Sequence, residues 1–305
     1  MWYCGNKNIG VRALNKESLD KLVTESLAIE AEEAKAAGAL GYMARALTQA
    51  TMPHAPTDET EFVRRNGAFT LTMFARRDVG LPYGSVPRLL MAWLTTEAVR
   101  TKEPLLSLGP TLSSFMAELD LVPTGGRWGT ITRLREQTRR LFSCAISANY
   151  SDDSKDFGQN FFVADRYELW WSPKEPNQAA LWQSNVTLNP TFFREVTTYP
   201  VPIDLRALKA LKRSPLALDI YCWLTYRLSY LKGHKIIPWR ALQLQFGSGY
   251  PQDGQGLRNF KKAFLRELKK VRVVYRAAKV ASSERGLELR ASRTHIPLLA
   301  KPPES

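Results

Sequence analysis

The stretch QGLRNFKKAFLRELKKV, residues 255–271, decides how the C-terminal third of the chain is organised. Its large apolar residues recur every three or four positions on one face of a predicted helix: Leu257, Phe260, Phe264, Leu268 and Val271. Its amide and basic residues fall on the opposite face: Gln255, Arg258, Asn259, Lys262, Arg266 and Lys269. The pattern predicts a helix that packs on a core with one side and presents cations and amides with the other.

The polar face of this helix carries the side-chain types that bind duplex DNA. Arg and Lys pair with guanine O6 and N7, Asn and Gln pair with adenine N6 and N7, and further cations contact phosphates. We therefore predict DNA contacts along this face, with Lys261 included among them. The alternative is a solvated surface helix, but such helices usually mix charges to form pairs one turn apart. Only Glu267 is acidic in this stretch, which favours recognition of DNA.

The flanking sequence predicts the other elements of a winged helix, a helix-turn-helix variant in which helices are followed by a two-stranded hairpin. The predicted elements are helices at 204–212 (capped by Asp204), 216–231 and 240–247, and strands at 236–239, 271–278 and 286–292. Arg285, Arg290 and Arg293 then lie on a wing beside the groove, where wings commonly touch phosphate or the minor groove. A simple exposed strand is the alternative interpretation of these three residues.

A similar order of elements is predicted in the first part of the chain. It comprises a strand at 69–76, helices at 86–102, 111–121 and 129–143, and strands at 144–150 and 160–171. The predicted fold class is therefore α+β, with two tandem winged-helix domains and an N-terminal helical extension. The predicted boundaries are 1–60 for the extension and linker, 61–195 for the first domain and 196–305 for the second, strongly basic domain.

The predicted helix at 129–143 and the turn before it, PTGGRWG, form a second candidate DNA contact. Glycine lets backbone approach a phosphate closely, and a helix N-terminus favours an anion. The predicted contacts here are Gly126, Arg127, Thr130, Arg133, Gln137 and Arg140. Arg133 and Arg140 are expected to point away from the core, with Thr130 and Gln137 at the flank. The alternative is a plain turn followed by an ordinary helix start.

Residues 15–50 are rich in Ala, Leu, Glu and Lys and contain a helical stripe that begins at Leu19. Gly38 and Gly41 are expected to interrupt or end the helix, and TMPHAPTDET at 51–60 has the composition of a linker. Such a helix has little to bury by itself. It either packs on the rest of the chain or contacts a partner, in which case it serves regulation or self-association.

Composition narrows the class of protein further. Residues 201–305 contain 21 Lys and Arg but 7 Asp and Glu, an excess equal to the whole net charge of +14, and a concentrated basic surface attracts a polyanion. The chain has three Cys and three scattered His, no metal-ligand spacing, no phosphate-binding loop and no apolar run long enough for a membrane span. We expect a cytoplasmic protein with reduced thiols, no catalytic residues, no metal and no cofactor.

Two pairs of sequence blocks resemble the RepA-type plasmid replication initiators related to TrfA. They are YGSVPRLLMAWLTTEAVRTK with TGGRWGTITRLREQTRRLF, and LALDIYCWLTYRLSYL with GQGLRNFKKAFLRELKKV, and the resemblance spans roughly residues 62–275. It implies tandem winged helices that bind repeated double-stranded origin sequences (iterons). It also implies recruitment of the host initiator and helicase, and in some relatives a homodimer that represses its own gene. By resemblance, Arg133, Gln137, Arg258, Asn259, Lys262 and Arg266 lie at the DNA.

Three other functions compete with this interpretation. A winged-helix transcriptional repressor without initiator activity shares every DNA-binding feature. A nicking initiator requires a metal held by clustered His and a nucleophilic Tyr, and the sequence offers no such cluster. An RNA-binding protein more often exposes aromatic residues on a sheet. The sequence therefore favours non-catalytic binding of duplex DNA.

Overall fold

The computed structural model describes residues 16–169, 175–178 and 184–296 and has a mixed α/β architecture. The helices are α1 (Lys16–Ala31), α2 (Arg45–Gln49), α3 (Ser85–Thr101), α4 (Leu112–Glu118), α5 (Thr130–Phe142), α6 (Pro190–Thr198), α7 (Leu205–Leu211), α8 (Pro215–Tyr230), α9 (Trp239–Phe246) and α10 (Gly254–Val274). The strands are β1 (Leu40–Ala44), β2 (Glu61–Asn66), β3 (Phe69–Phe74), β4 (Leu105–Ser107), β5 (Ala145–Ser151), β6 (Asp156–Phe162), β7 (Ala164–Glu168), β8 (Asn185–Leu188), β9 (Pro200–Asp204), β10 (His234–Pro238), β11 (Val280–Ser282) and β12 (Gly286–Arg290). Cys4, Trp170 and Trp171 lie outside the described residues.

The second unit, residues 200–290, follows the predicted order closely. Asp204 caps α7 by accepting a hydrogen bond from the backbone N–H of Arg206 (2.8 Å), as expected. Its three strands form an antiparallel sheet in the order β10–β12–β11. The expected strand at 271–278 is wrong, because residues 271–274 continue α10 and β11 begins only at Val280. Val271 and Val274 are buried one turn apart, so core packing overrides the preference of Val for strands.

The first unit, residues 40–188, has the same sequence of elements with an additional sheet. Strands β4, β8 and β7 form a three-stranded sheet in that order, and β2, β3, β5 and β6 form a separate four-stranded antiparallel sheet. The sequence predicted that strands at 144–150 and 160–171 form the hairpin of the small sheet, and this prediction is wrong. Strands β5 and β6 do pair with each other, but the small sheet uses β7 and β8 instead.

A strand followed by a short helix opens each unit, and these two strands join the units. Strand β1 pairs antiparallel with β9, with Leu40 opposite Asp204 and Ala44 opposite Pro200. The helix was expected to be interrupted or to end at Gly38 and Gly41, but α1 already ends at Ala31, and β1 lies within the expected extension. The core is continuous across both units, as the same buried cluster contains Leu90 of α3 and Ile220 of α8.

Helix α1 packs on the second unit, which is one of the two alternatives left by the sequence. The Ser26 hydroxyl donates to the Val273 carbonyl at 2.5 Å, and Leu22 and Ile29 are buried. Two ion pairs add to this contact, Arg276 with Glu30 at 2.8 Å and Arg293 with Glu33 at 3.3 Å. Helix α1 is therefore held by an apolar side and an acidic end.

A buried ion pair also joins the units. Arg88 of α3 and Asp219 of α8 are 2% and 7% exposed, and two guanidinium nitrogens of Arg88 each lie 2.7 Å from a carboxylate oxygen of Asp219. The Arg88 guanidinium also donates to the carbonyls of Met52, Pro53 and Gly84. His54 Nε2 lies 2.7 Å from the second Asp219 oxygen. Both buried charges are thereby paired and hydrogen-bonded, which is the condition for tolerating them in a core.

Candidate nucleic-acid interface

Helix α10 has the two faces that its sequence predicts. Phe260, Phe264, Leu268 and Val271 are buried. The exposed residues are Gln255, Arg258, Asn259, Lys262, Arg266 and Lys269, which we call the α10 polar face. The helix begins with a side-chain cap, since Asp253 accepts a hydrogen bond from the backbone N–H of Gly256 at 2.6 Å. The core side fixes the helix, and the polar face is free to meet a ligand.

The first turn of the α10 polar face is hydrogen-bonded within itself. The Arg258 guanidinium donates to Gln255 Oε1 at 2.7 Å and 3.2 Å. The Gln255 amide in turn donates to Asn259 Oδ1 at 2.9 Å. These bonds hold one guanidinium and two amides side by side. The group has the donors and acceptors for bidentate contacts with purine edges in a major groove.

Further along α10, the acidic residue Glu267 is buried rather than exposed. Glu267 is buried and accepts hydrogen bonds from Lys270 (2.6 Å) and Arg266 (2.7 Å). Burial alone raises the pKa of Glu267, but the hydrogen bonds from Lys270, Arg266 and Ser214 outweigh it and lower the pKa. The one acidic residue of the 255–271 stretch thus stabilises the helix from below and leaves the α10 polar face without an exposed carboxylate.

The turn between β11 and β12 lies beside α10. Lys261 is half-buried in this contact. Its ammonium group lies 4.9 Å from the centre of the Trp239 ring and 3.5 Å from the Ser283 carbonyl. Arg285 is exposed in this turn. Arg290 is also exposed but pairs opposite His234 at the other end of β12. The structure therefore places Arg285 in the turn whose Ser283 contacts Lys261 of α10, and Arg290 at the far end of the strand.

Helix α5 presents fewer of its predicted residues. Gly126, Arg127 and Arg133 are exposed as expected. Sequence reasoning missed the exposed Thr132, Arg135 and Arg139 and the exposed Trp128. Arg135 and Arg139 are four positions apart and therefore share one side of the helix. The exposed basic residues of this segment are Arg133, Arg135 and Arg139, with Arg127 just before the helix, and we call them the α5 basic face; Glu136 is exposed among them.

Two residues expected at the surface of α5 instead attach the helix to residues 80–83. Gln137 is 3% exposed, and its Oε1 accepts the backbone N–H of Tyr83 at 2.8 Å. The Arg140 guanidinium donates to the Leu81 carbonyl at 3.1 Å and to Glu136 at 2.6 Å, and it lies 5.3 Å from the Tyr83 ring centre. The placement of Gln137 at the exposed flank is wrong, and Arg140 folds back rather than projecting outward.

Thr124 caps the start of α5, where the sequence predicted that free backbone N–H groups would bind a phosphate. Thr124 Oγ1 accepts the backbone N–H of Thr130 at 2.9 Å, and the Thr124 carbonyl accepts that of Ile131 at 3.3 Å. Thr130 is half-buried and returns a bond by accepting the Thr124 N–H through its hydroxyl at 2.9 Å. Two first-turn donors are thus occupied internally, so the cations around the turn carry the attraction for an anion.

A solved structure of similar fold supports this architecture. The crystal structure of domains 2 and 3 of RctB, as a selenomethionine derivative, matches with a TM-score of 0.50 at 12% identity, covering 80% of this chain and 95% of that one. A second crystal structure of RctB domains 2–3 matches with a TM-score of 0.47 at 11% identity, covering 81% and 96%. The first of these likenesses shows a shared fold.

The family follows from the sequence. The model of the family described as plasmid encoded RepA protein matches residues 81–240, which is 160 of the 305 residues. The chain belongs to this family of plasmid replication initiators. No protein with a curated description matches the chain. The matched range contains α5, α8 and the buried Arg88–Asp219 pair, whereas α10 lies beyond it.

Among the residues that the structure describes, no helix is both long and apolar enough to cross a bilayer.

Cys144 and Cys222 are buried free thiols, and burial raises the pKa of the Cys144 thiol to about 12. Burial also raises the pKa of Cys222 far above its ordinary value. Both thiols are therefore protonated near neutral pH.

Proposed function

We propose that this protein initiates plasmid replication by binding repeated origin sequences as duplex DNA through α5 and α10. The observation that carries the proposal is the α10 polar face, which combines a hydrogen-bonded Arg258–Gln255–Asn259 group with further exposed cations. The guanidinium and amides suit purine edges, and Lys262, Arg266 and Lys269 suit phosphates.

Each unit is interpreted as a winged helix, with α5 and α10 as recognition helices. Three features support this interpretation. In both units a helix, a strand and two helices precede the last two strands, with β5 and β6 of the other sheet intervening in the first unit. The last strand is central in each three-stranded sheet, and the basic faces belong to the last helix before those strands. In winged and related helix-turn-helix proteins this helix enters the major groove. Strands β7–β8 and β11–β12 are then the wings, and we assign a phosphate contact to Arg285, which is exposed in the turn between β11 and β12.

The protein acts by binding, without a catalytic residue, metal or cofactor. The sequence offers no phosphate-binding loop and no His cluster. Recruitment of the host replication initiator and helicase, and dimerisation, rest on the resemblance to RepA-type initiators. Two units that bind adjacent segments of one site raise each other's effective concentration, which supports recognition of a long repeat.

The DNA-binding part is tested by fluorescence anisotropy with duplex and single-stranded fragments that flank the gene. We expect duplex to be preferred, with affinity falling by several orders of magnitude between about 50 mM and 200 mM salt for roughly 6–10 phosphate contacts. Arg258→Ala with Lys262→Ala should weaken binding strongly. Arg100→Ala, which removes an exposed cation from α3, is the matched control and should not. Equal affinity for both kinds of DNA, or no dependence on salt, contradicts the proposal.

The initiator part is separated from a pure autorepressor by transformation. A plasmid that carries the origin without the gene is introduced into cells that express the protein from another replicon. We expect colonies with the intact chain and none with the Arg258→Ala, Lys262→Ala variant. A protein that binds upstream of its gene and represses it, yet supports no colonies, is a repressor.

A further inference from the structure

The turn that leads into α5 exposes the two least covered large apolar side chains among the residues that the structure describes. Trp128 is 80% exposed and Val122 is 73% exposed, whereas the next, Leu105, is 58% exposed. Exposed single apolar residues are common on proteins, but a Trp so fully in water is unusual because its ring is the largest apolar side chain. Both residues lie within seven positions of each other in the segment that begins α5.

This turn is rigid, so the exposure of Trp128 does not come from a loose loop. Besides the reciprocal Thr124–Thr130 bonds, the Thr132 hydroxyl donates to the Gly126 carbonyl at 2.9 Å. Gly126 has φ of +84°, a conformation that other residues rarely adopt. At Gly129 an added Cβ would lie 2.2 Å from the Thr124 carbonyl oxygen, so only glycine allows the closure. The backbone therefore holds the indole outward in a defined position.

The surroundings of Trp128 are cationic. The Arg127 guanidinium lies 5.0 Å from the centre of the Trp128 ring. Residues 121–135 include Arg127, Arg133 and Arg135 but no Asp or Glu. An apolar partner protein would bury the Arg127 guanidinium beside the indole without pairing its charge, whereas DNA has a polyanionic backbone with apolar groups recessed between its phosphates. Charge complementarity thus selects DNA as the occupant.

We propose that Trp128 is a specificity-determining residue that packs against the methyl group of a thymine in the major groove, beside a phosphate held by Arg127. The proposal rests on duplex binding by α5. Trp128 directly precedes Gly129, the N-cap residue of α5, and the N-terminal residues of a recognition helix are those that reach base edges. The C5 methyl of thymine is the apolar group that base pairs present in this groove. Trp128 therefore selects T·A at one position of each repeat.

The test removes the methyl group without changing any hydrogen bond. Each thymine of the footprinted site is replaced by uracil in turn, and dissociation constants are measured for the intact protein and for Trp128→Ala. The intact protein should lose about fourfold in affinity at one or two thymines, the loss expected for one unburied methyl group. Trp128→Ala should weaken binding to the all-thymine site and show no further loss at those same positions.

Controls separate this inference from folding and from the proposed function. Phe74→Ala removes an exposed aromatic side chain outside the turn and should keep the uracil pattern of the intact protein. Because Trp128 is exposed, Trp128→Ala should melt at the same temperature as the intact chain. Affinity unchanged in Trp128→Ala, or an identical uracil profile in both proteins, overturns the role of Trp128 and leaves duplex binding intact. Failure of the intact protein to bind duplex overturns the proposed function instead.

Discussion

The two units share an order of elements but use the polar residues of their last long helix differently. In α5, Gln137 and Arg140 bond to residues 80–83, and the exposed charged residues that remain are Arg133, Arg135, Glu136 and Arg139. In α10, the amides and Arg258 stay at the surface, while the acidic Glu267 is buried beneath. The same architecture therefore yields a helix whose own exposed residues suit phosphates in the first unit, where base selection is proposed only for Trp128 before the helix, and a helix whose exposed residues suit base edges in the second.

The units also differ in charge, and this difference follows the same division. Residues 1–200 carry 22 basic and 22 acidic residues, whereas the excess of +14 lies entirely in residues 201–305. Long-range attraction to DNA therefore comes from the second unit. The first unit contributes local cations around a rigid turn. The following variants test whether the two units act as one body and whether their helices have the roles that we propose.

The largest effect is expected where the units meet. Arg88→Met leaves the Asp219 carboxylate buried without its bidentate partner, and we expect a loss of about 3–5 kcal/mol in the free energy of unfolding. Urea unfolding at pH 7, followed by circular dichroism, measures it. Arg76→Met breaks an ion pair with Asp78 whose members are both more than half exposed, and it should cost less than about 1 kcal/mol. Equal stabilities of the two variants would mean that the buried pair does not join the units.

Acid should destabilise the fold through two histidines: His54, which contacts Asp219 at this junction, and His295, whose Nδ1 lies 2.8 Å from the Tyr221 hydroxyl in the second unit. Burial lowers the pKa of His54 to about 4, against the partial opposition of Asp219, and burial likewise lowers the pKa of His295 to about 4. Between about pH 6.5 and pH 4, these histidines are protonated in the unfolded state, where the His pKa is near 6.5, but stay neutral in the folded state. Stability is therefore full above about pH 6.5, falls as the pH drops towards 4, and levels off below it.

Each histidine accounts for about 3 kcal/mol over that range, since one pKa unit corresponds to about 1.4 kcal/mol. Urea midpoints between pH 7 and pH 4 provide the measurement. His54→Gln should remove about half of the pH dependence. A midpoint that stays constant from pH 7 to pH 4 would contradict the burial of both rings.

Local periodicity was sufficient to predict α5, α8 and α10, because their apolar residues repeat within each helix. It failed for β1, whose partner β9 is about 160 residues away, and for the strands of the first small sheet. The polar face of α10 was predicted in full for the same local reason. In α5, the fates of Gln137 and Arg140 depend on residues 80–83, more than 50 positions earlier in the chain. The exposure of Trp128 depends on backbone closure, which no residue pattern reveals.

The two helices should differ in base discrimination: each bidentate contact made by α10 should favour the correct base pair by about 1–3 kcal/mol in binding free energy, whereas contacts of the α5 basic face should not discriminate. Arg258→Ala and Asn259→Ala should each relax the preference at defined base pairs, because bidentate contacts with purines carry that much selectivity. Arg139→Ala, on the α5 basic face, should instead weaken all sequences alike and reduce the salt slope by about one unit. Affinities for single-base variants of the site decide between these outcomes. Uniform weakening by Arg258→Ala and Asn259→Ala would make α10 a phosphate clamp.

The smallest effect concerns the acidic end of α1 against the basic second unit. The pairs Glu30–Arg276 and Glu33–Arg293 are exposed, so replacing both acids by Gln should cost less than about 1 kcal/mol, and this cost should vanish at high salt. Ile29→Ala, on the buried side of the same helix, should cost about 2–5 kcal/mol at any salt concentration. Urea unfolding at low and at high salt compares the two. If the charge variant proves the more destabilising, α1 is held on the second unit mainly by its ion pairs. DNA, as a polyanion, would then compete with Glu30 and Glu33 for Arg276 and Arg293 and so release α1.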